Sequence, residues 1–429
     1  MIRSCALTII LMSVTPPCRA QSVAPAPLTL ADAKRQALAH HPRILAARLR
    51  AEAAAQVVSE AQSAYFPTVS VNVTSVGAQD ATAIAAGALP ISGLATRVAA
   101  GFVATQLVTD FGRTRNLSAT ASLNATAQGQ RVNDARAAVL LEVSDAYYQT
   151  LAADAVISVA RSDLDAKQLL ARQVAALARS DLKSTLDVSF ADVAVSEAEL
   201  VLSRAESAGD AARARLTAAL GDAVPVSYVL SDEPLPTQLA TDPQPDIDEA
   251  TASRPALAAL RASREAAVHF ATAEKRLALP SVNLLAAAGA LPSHDDRLRG
   301  SYGAAGINVS VPVLTGGLFA ARRTEAALRA EAASRDVDDL AMTVARDVRV
   351  AWLEASDAFL RLDVTARLVQ QADRTLRLAR TRYDAGLTSI VELTQAQLSQ
   401  TSARIEAAKA KYEYLERRAL LDYVVGRTQ

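Results

Sequence analysis

A pattern laid down twice governs what this chain can fold into. Pro42 and Pro67 lie 25 residues apart, and so do Pro255 and Pro280, 213 positions further on. The residues after the second proline also agree, Pro67-Thr-Val against Pro280-Ser-Val. Beyond them the register settles at 205 and holds: Gly112 with Gly317, Ala146 with Ala351, Leu182 with Leu387, Ser184 with Ser389, Gly221 with Gly426. An alanine-rich chain produces one or two such coincidences by chance. It does not produce a constant register through two glycine pairs and a shared Leu-x-Ser. Each copy is therefore a structural unit, and what one half forms the other half forms as well.

Both copies read the same way. A helix comes first, with Thr29-Leu-Ala-Asp32 as a capping-box start and Asp246-Ile-Asp-Glu249 as its counterpart. The second copy reaches its proline four residues sooner, about one helical turn, so the buried face is kept. Strands are expected near 68–76 and 98–108 in the first copy, and near 281–288 and 307–313 in the second. In the first of these Val69, Val71 and Val73 alternate with Thr68, Ser70, Asn72 and Thr74, the period of a strand with one apolar and one polar face. Ile307, Val309, Val311 and Val313 alternate likewise with Asn308, Ser310 and Pro312.

After Gly112 and Gly317 the character changes. No proline occurs from 91 to 224 or after Pro312, and no glycine interrupts the run from Gly317 to Gly386. About 69 residues of helix span roughly 100 Å. Leu368, Ala372, Leu376, Ala379 and Tyr383 step along it as the seam of a helix packed on neighbours. A second helix is expected from about 389 to 423, and Tyr147 and Trp352, equivalent in the two copies, are expected to pack between helices. The division that follows is a signal peptide at 1–20, a first repeat at 21–224, a proline-rich linker at 225–246 lying against the body, and a second repeat at 247–429.

The leader reading rests on Arg3, the apolar run 5–14 and the small residues before a cleavage point after Ala20. Both cysteines, Cys5 and Cys18, fall inside it, so the exported chain uses no disulfide. Pro16-Pro17 fit a lipidation motif at Cys18 badly. No later run is long and apolar enough for a membrane-spanning helix. Lys+Arg and Asp+Glu are equal at 45 each, which leaves no electrostatic footprint for nucleic acid. His40, His41, His269 and His294 lack metal-ligand spacing, and His294-Asp295-Asp296 reads as a polar hairpin loop. No nucleophile elbow, phosphate loop or zinc signature occurs, so no cofactor and no enzyme activity are expected.

Four short strands in such a helical chain pose a physical problem. Two hairpins cannot make a stable sheet alone, and their free edges are a hazard in water and untenable in lipid. Closure removes the edges. If several chains donate four strands each to one barrel, every edge is paired and one face meets lipid; three chains would give twelve strands.

At this point the chain resembles the TolC-type outer-membrane efflux proteins over essentially its whole mature length. The resemblance rests on Leu28-Thr-Leu-Ala-Asp-Ala33 with His41-Pro42, the Pro67 and Pro280 strand starts, and Asp110-Phe-Gly112 with Thr315-Gly-Gly317. Its most specific part is Arg382-Tyr-Asp-Ala-Gly-Leu-Thr-Ser-Ile-Val-Glu-Leu393, followed by Ala396-Gln397. It implies a mainly helical, internally duplicated fold: a homotrimer with a twelve-stranded β-barrel in the outer membrane of a Gram-negative cell and a long α-helical barrel across the periplasm. The implied partners are outer-membrane lipid, a periplasmic adaptor and an inner-membrane transporter. Cargo would be a drug, a metal ion or, in a type I secretion system, a polypeptide.

The resemblance also assigns residues. Gly386, Leu387 and Thr388, with Leu182, Lys183 and Ser184 in the other copy, would form the periplasmic tips where the adaptor docks. Glu392 would lie at the entrance constriction with Asp187 opposite it, and three chains would make cation-favouring acidic rings. Gln395 stands where the family often has a second acid, and only Arg427-Thr-Gln429 follow Gly426, without a longer C-terminal extension. Tyr65, Phe66, Phe102, Phe111 and Tyr302 are candidates for an interfacial aromatic girdle. A periplasmic adaptor would show one helical hairpin within β-rich domains, and a structural coiled-coil protein would need no repeated amphipathic strands.

Overall fold

The computed structural model describes residues 27–77, 83–84, 92–93, 96–224, 226, 228–235, 240–294 and 299–427. The signal peptide expected at 1–20 lies outside them, as do Asp295, Asp296 and parts of the expected linker.

In chain order the elements are α1 (Leu30–His40), α2 (Pro42–Ser63), β1 (Thr68–Val76), the short β2 (Ala83–Ile84) and β3 (Ser92–Gly93), and β4 (Arg97–Thr109). Then follow α3 (Arg113–Ala178) and α4 (Thr185–Leu220). The second half has α5 (Gln244–Ser253), α6 (Pro255–Lys275), β5 (Ser281–His294), β6 (Ser301–Ser310), α7 (Leu318–Asp384) and α8 (Ile390–Val425).

The duplication is carried by the backbone itself. Helices α4 and α8 both have 36 residues and coincide at the 205-residue offset. Left-handed residues recur at the same offset: Phe111 (φ 55°) and Gly112 (φ 90°) before α3, against Gly316 (φ 57°) and Gly317 (φ 82°) before α7. Asp181 (φ 57°) turns the first tip where Gly386 (φ 72°) turns the second. A left-handed L-residue costs about 1–2 kcal/mol. That cost is absent in the second copy, where glycine occupies both places. Gly221 ends α4 and packs on His41 and Pro42, while Gly426 ends α8 and packs on Arg254 and Pro255. The end of each long hairpin thus sits on the break between its short N-terminal helices.

The first cap forms half of the expected box: the Thr29 hydroxyl accepts from the Asp32 amide at 3.2 Å and donates to the Asp32 carboxylate at 2.7 Å. The second differs. Helix α5 begins at Gln244, whose amide donates to Asp242, and Asp246 and Glu249 instead hold the Arg427 guanidinium against the end of α8. Prolines at 243 and 245 suit a helix start and move it upstream of Asp246.

Helices α3 and α7, with 66 and 67 residues, each run roughly 100 Å. Small residues let their neighbours approach closely. The largest core is built on Val139, Val143, Tyr147 and Leu151 of α3 against Leu216 and Leu220 of α4 and Ile44 of α2. A second joins Val344 and Val348 of α7 to Ile247, Leu421 and Val425. The Tyr147 hydroxyl lies 2.9 Å from the Leu28 carbonyl and 2.6 Å from that of Ser231, and the equivalent Trp352 donates to the Ala240 carbonyl at 3.1 Å. The two expected packing residues therefore also hold the connection between the repeats against the body. Along the α7 seam Ala372, Ala379 and Tyr383 are buried, whereas Leu368 points outward.

The sheet order is β1-β4-β5-β6, antiparallel throughout, so strands of the two repeats meet at β4–β5 and the edges are β1 and β6. Strand β5 continues past the expected end at 288 to His294, and β6 runs 301–310 rather than 307–313. Gly303, Ala304, Ala305 and Gly306 offer no apolar–polar contrast to reveal the early part. Pro312 has no N–H to donate, and the strand ends before it.

Candidate functional site

Two regions carry functional potential, the sheet and the opposite end of the long helices. On the sheet, register decides which side chains share a face. Val71 pairs with Phe102, Phe102 with Ala288, and Ala288 with Gly303. Two residues away Val69, Ala104, Ala286 and Ala305 make the next row of that face, followed by Gln106, Leu284 and Ile307. The opposite face carries Asn72, Gly101, Gly289 and Tyr302 in one row, with Asn283 and Asn308 nearer the helices. One side is thus almost wholly apolar and yet open: Val71 is 64% exposed, Ile307 69% and Phe102 59%. No described residue covers it.

Of the aromatic residues weighed for a girdle, Tyr65, Phe66 and Phe111 cluster where the helices meet the strands, alongside the exposed Val313 and Leu314. Phe102 sits in the middle of the apolar face. Tyr302 lies on the polar face instead, over Gly289 and Gly101, at both of which a side chain would collide with its hydroxyl.

At the far end, α3 turns into α4 through Leu182, Lys183 and Ser184, and α7 into α8 through Gly386, Leu387 and Thr388. The two turns meet. Lys183 Nζ lies 3.9 Å from the centre of the Tyr383 ring, and Val174, Ala191, Tyr383, Ile390 and Leu393 form one buried cluster beneath. Burial, with the Asp187 and Asp384 carboxylates adding to it, raises the Tyr383 hydroxyl above its ordinary pKa. Leu182 and Leu387, equivalent in the repeats, project at 69% and 72% exposure.

The acids near the tips have partners within the chain. Asp187 completes a capping box, accepting from the Ser184 amide at 3.3 Å while the Ser184 hydroxyl accepts from the Leu186 amide. Glu392 accepts from the Thr388 hydroxyl and pairs with Arg382 at 3.3 Å. Gln395 is exposed one turn further on. The Arg382 partnership was missed from the sequence, because it crosses the turn from the last residues of α7. The only sequence signal for it was a base and an acid flanking one tight turn.

Further from the tips, α3 and α8 are tied by polar side chains. Lys167 and Asp163 form a buried ion pair at 3.0 Å, and the buried Thr401 hydroxyl donates to Asp163 at 2.6 Å. None of these three residues stood out in the sequence.

Among known proteins, the family model described as outer membrane efflux protein matches residues 34–222 and 247–427. The alkaline protease secretion protein AprF of Pseudomonas aeruginosa is 29% identical over 182 residues, 42% of this chain and 38% of that protein. Protein CyaE of Bordetella pertussis is 26% identical over 389 residues, 88% of this chain and 79% of that one. The chain thus spans under two-fifths of the former relative and about four-fifths of the latter. The solved structure of the outer membrane protein VceC from Vibrio cholerae superposes with a TM-score of 0.79 at 18% identity, over 92% of this chain and 96% of that one.

Proposed function

The chain belongs to the outer membrane efflux protein family, and from that premise we propose that three copies close one twelve-stranded barrel whose lumen continues into the duct formed by the long helices. The observation that carries this reading is the four-stranded sheet with an uncovered apolar face and two free edges, β1 and β6. Pairing β1 of one copy with β6 of the next satisfies every edge, and the apolar face then meets lipid. The polar row with Asn72 and Tyr302 faces the lumen. The protein is a passive outer-membrane channel and not an enzyme, with its helical part in the periplasm.

The tips take the docking role. Leu182 and Leu387 offer paired apolar contacts to a periplasmic adaptor, which joins the duct to an inner-membrane transporter. Inside the entrance, Glu392 and Asp187 set the charge of the constriction, with Gln395 one turn along. Because Arg382 and the α4 cap already engage these acids, their cation preference is modest while those partners stay in place. The likeness to AprF, named for protease secretion, supports a polypeptide cargo over a drug or metal ion.

Planar-bilayer recording of the purified protein tests the channel reading. Discrete, long-lived conductance steps are expected; a protein that leaves the bilayer silent would overturn it.

A further inference from the structure

Between α3, α7 and α8, a few turns from the tips, lies a cavity of about 350 Å³. It is at the small end of ligand-pocket volumes. Its lining is mainly polar. The carboxylates in that lining are already engaged: Asp163 by Lys167 and Thr401, and Asp373 by Gln400 at 2.7 Å and Arg404 at 3.0 Å. The Gln400 hydrogen bond, followed by the Arg404 charge, holds the Asp373 carboxyl below its ordinary pKa. Arg377 and Arg380, one turn apart on α7, also line the cavity and have no carboxylate within ion-pair distance among the described residues. Gln397 of α8 adds an amide oxygen that is buried without a hydrogen-bond partner.

The excess charge here is positive and is carried by guanidinium groups, of which Arg377 also acts electrostatically on the Asp373 carboxylate without an ion pair to it. Guanidinium matches carboxylate and phosphate oxygens in planar, two-pronged hydrogen bonds, and each acid of the lining already has a cationic partner in this chain, Lys167 for Asp163 and Arg404 for Asp373. We propose that this cavity is a binding site for a small oxyanion, a carboxylate or phosphate held by Arg377 and Arg380. Where the anion carries an O–H, as hydrogen phosphate does, that group can donate to the Gln397 oxygen. The contacts named here come from α7 and α8 of the second repeat, and α3 of the first repeat walls the cavity. The site stands apart from the docking tips and does not depend on whether the protein conducts.

The test is isothermal titration of the full chain in detergent with inorganic phosphate and, separately, with succinate, at constant ionic strength. Saturable binding of at least one of the two is expected. Arg377→Gln and Arg380→Gln each weaken it about tenfold or more, since each removes a charge-assisted pair. Arg374→Gln, on the same helix but outside the lining, leaves it unchanged. Arg377 and Arg380 are both exposed and have no carboxylate within ion-pair distance among the described residues, so these variants are expected to fold; circular dichroism verifies that. Preference for phosphate or for succinate identifies which oxyanion chemistry the site takes. Absence of saturable binding by either anion overturns the proposal, as does binding that the Arg377 and Arg380 variants leave intact.

Discussion

Replacing Val71 with lysine separates a sheet in lipid from a sheet in water. Val71 is 64% exposed and lies near the middle of the nine-residue β1, opposite Phe102 on the apolar face. On a water-exposed surface Val71→Lys would cost little beyond the cross-strand pair with Phe102, about 0.2–1 kcal/mol. On the lipid face of a barrel near the bilayer midplane, lysine costs about 2–4 kcal/mol per copy, and a closed trimer carries it three times. Asn72→Lys, one residue away, enters the polar face and is expected to cost far less. The assay is urea-driven unfolding of each variant from lipid vesicles, together with the fraction reaching the outer membrane in cells. Val71→Lys should unfold at clearly lower urea than Asn72→Lys and insert poorly. Equal midpoints for the two would refute the assignment of faces, and with it the reasoning from register to lipid contact.

Three further outcomes follow from individual residues. Burial, reinforced by Asp145, pushes the Glu416 carboxyl up to about 7 from an ordinary 4.5, so the folded chain holds an extra proton between those values. Its contribution to stability therefore falls as pH rises through that window; Glu416→Gln should flatten this part of a melting-temperature profile and be the more stable form at pH 8, and an unaltered profile would contradict it. Leu387→Asp, at an exposed tip position, is expected to abolish export while the oligomer survives on native gels; normal export would remove the tip from docking. Glu392→Lys should shift reversal potentials toward anions, and Arg382→Gln should shift them toward cations by releasing Glu392; selectivity unchanged in both would exclude that acid from the constriction.

Much of the architecture was legible in the sequence because it is written twice. The 205-residue register alone sets α4 in correspondence with α8 and marks both helix-starting glycines. Strand β1 was visible because valine and hydroxyl residues alternate. Its neighbours were harder to read, since Ala286, Ala287 and Ala288 look the same from either face and only the pairing with Phe102 and Val103 tells them apart. The tips were located by Gly386 and the shared Leu-x-Ser. What surrounds their acids was not, because Arg382 reaches Glu392 only once the turn has closed. The Asp163–Lys167–Thr401 tie joins residues more than 230 positions apart, and their repeat equivalents Leu368 and Ala372 gave no hint of it.

The central claim is that the strands of three chains close one barrel. Native mass spectrometry of the protein extracted from outer membranes in detergent tests it most directly. The account requires a particle of three chains that persists after lipid is stripped away. A single chain, or a particle with any other number of copies, would contradict it.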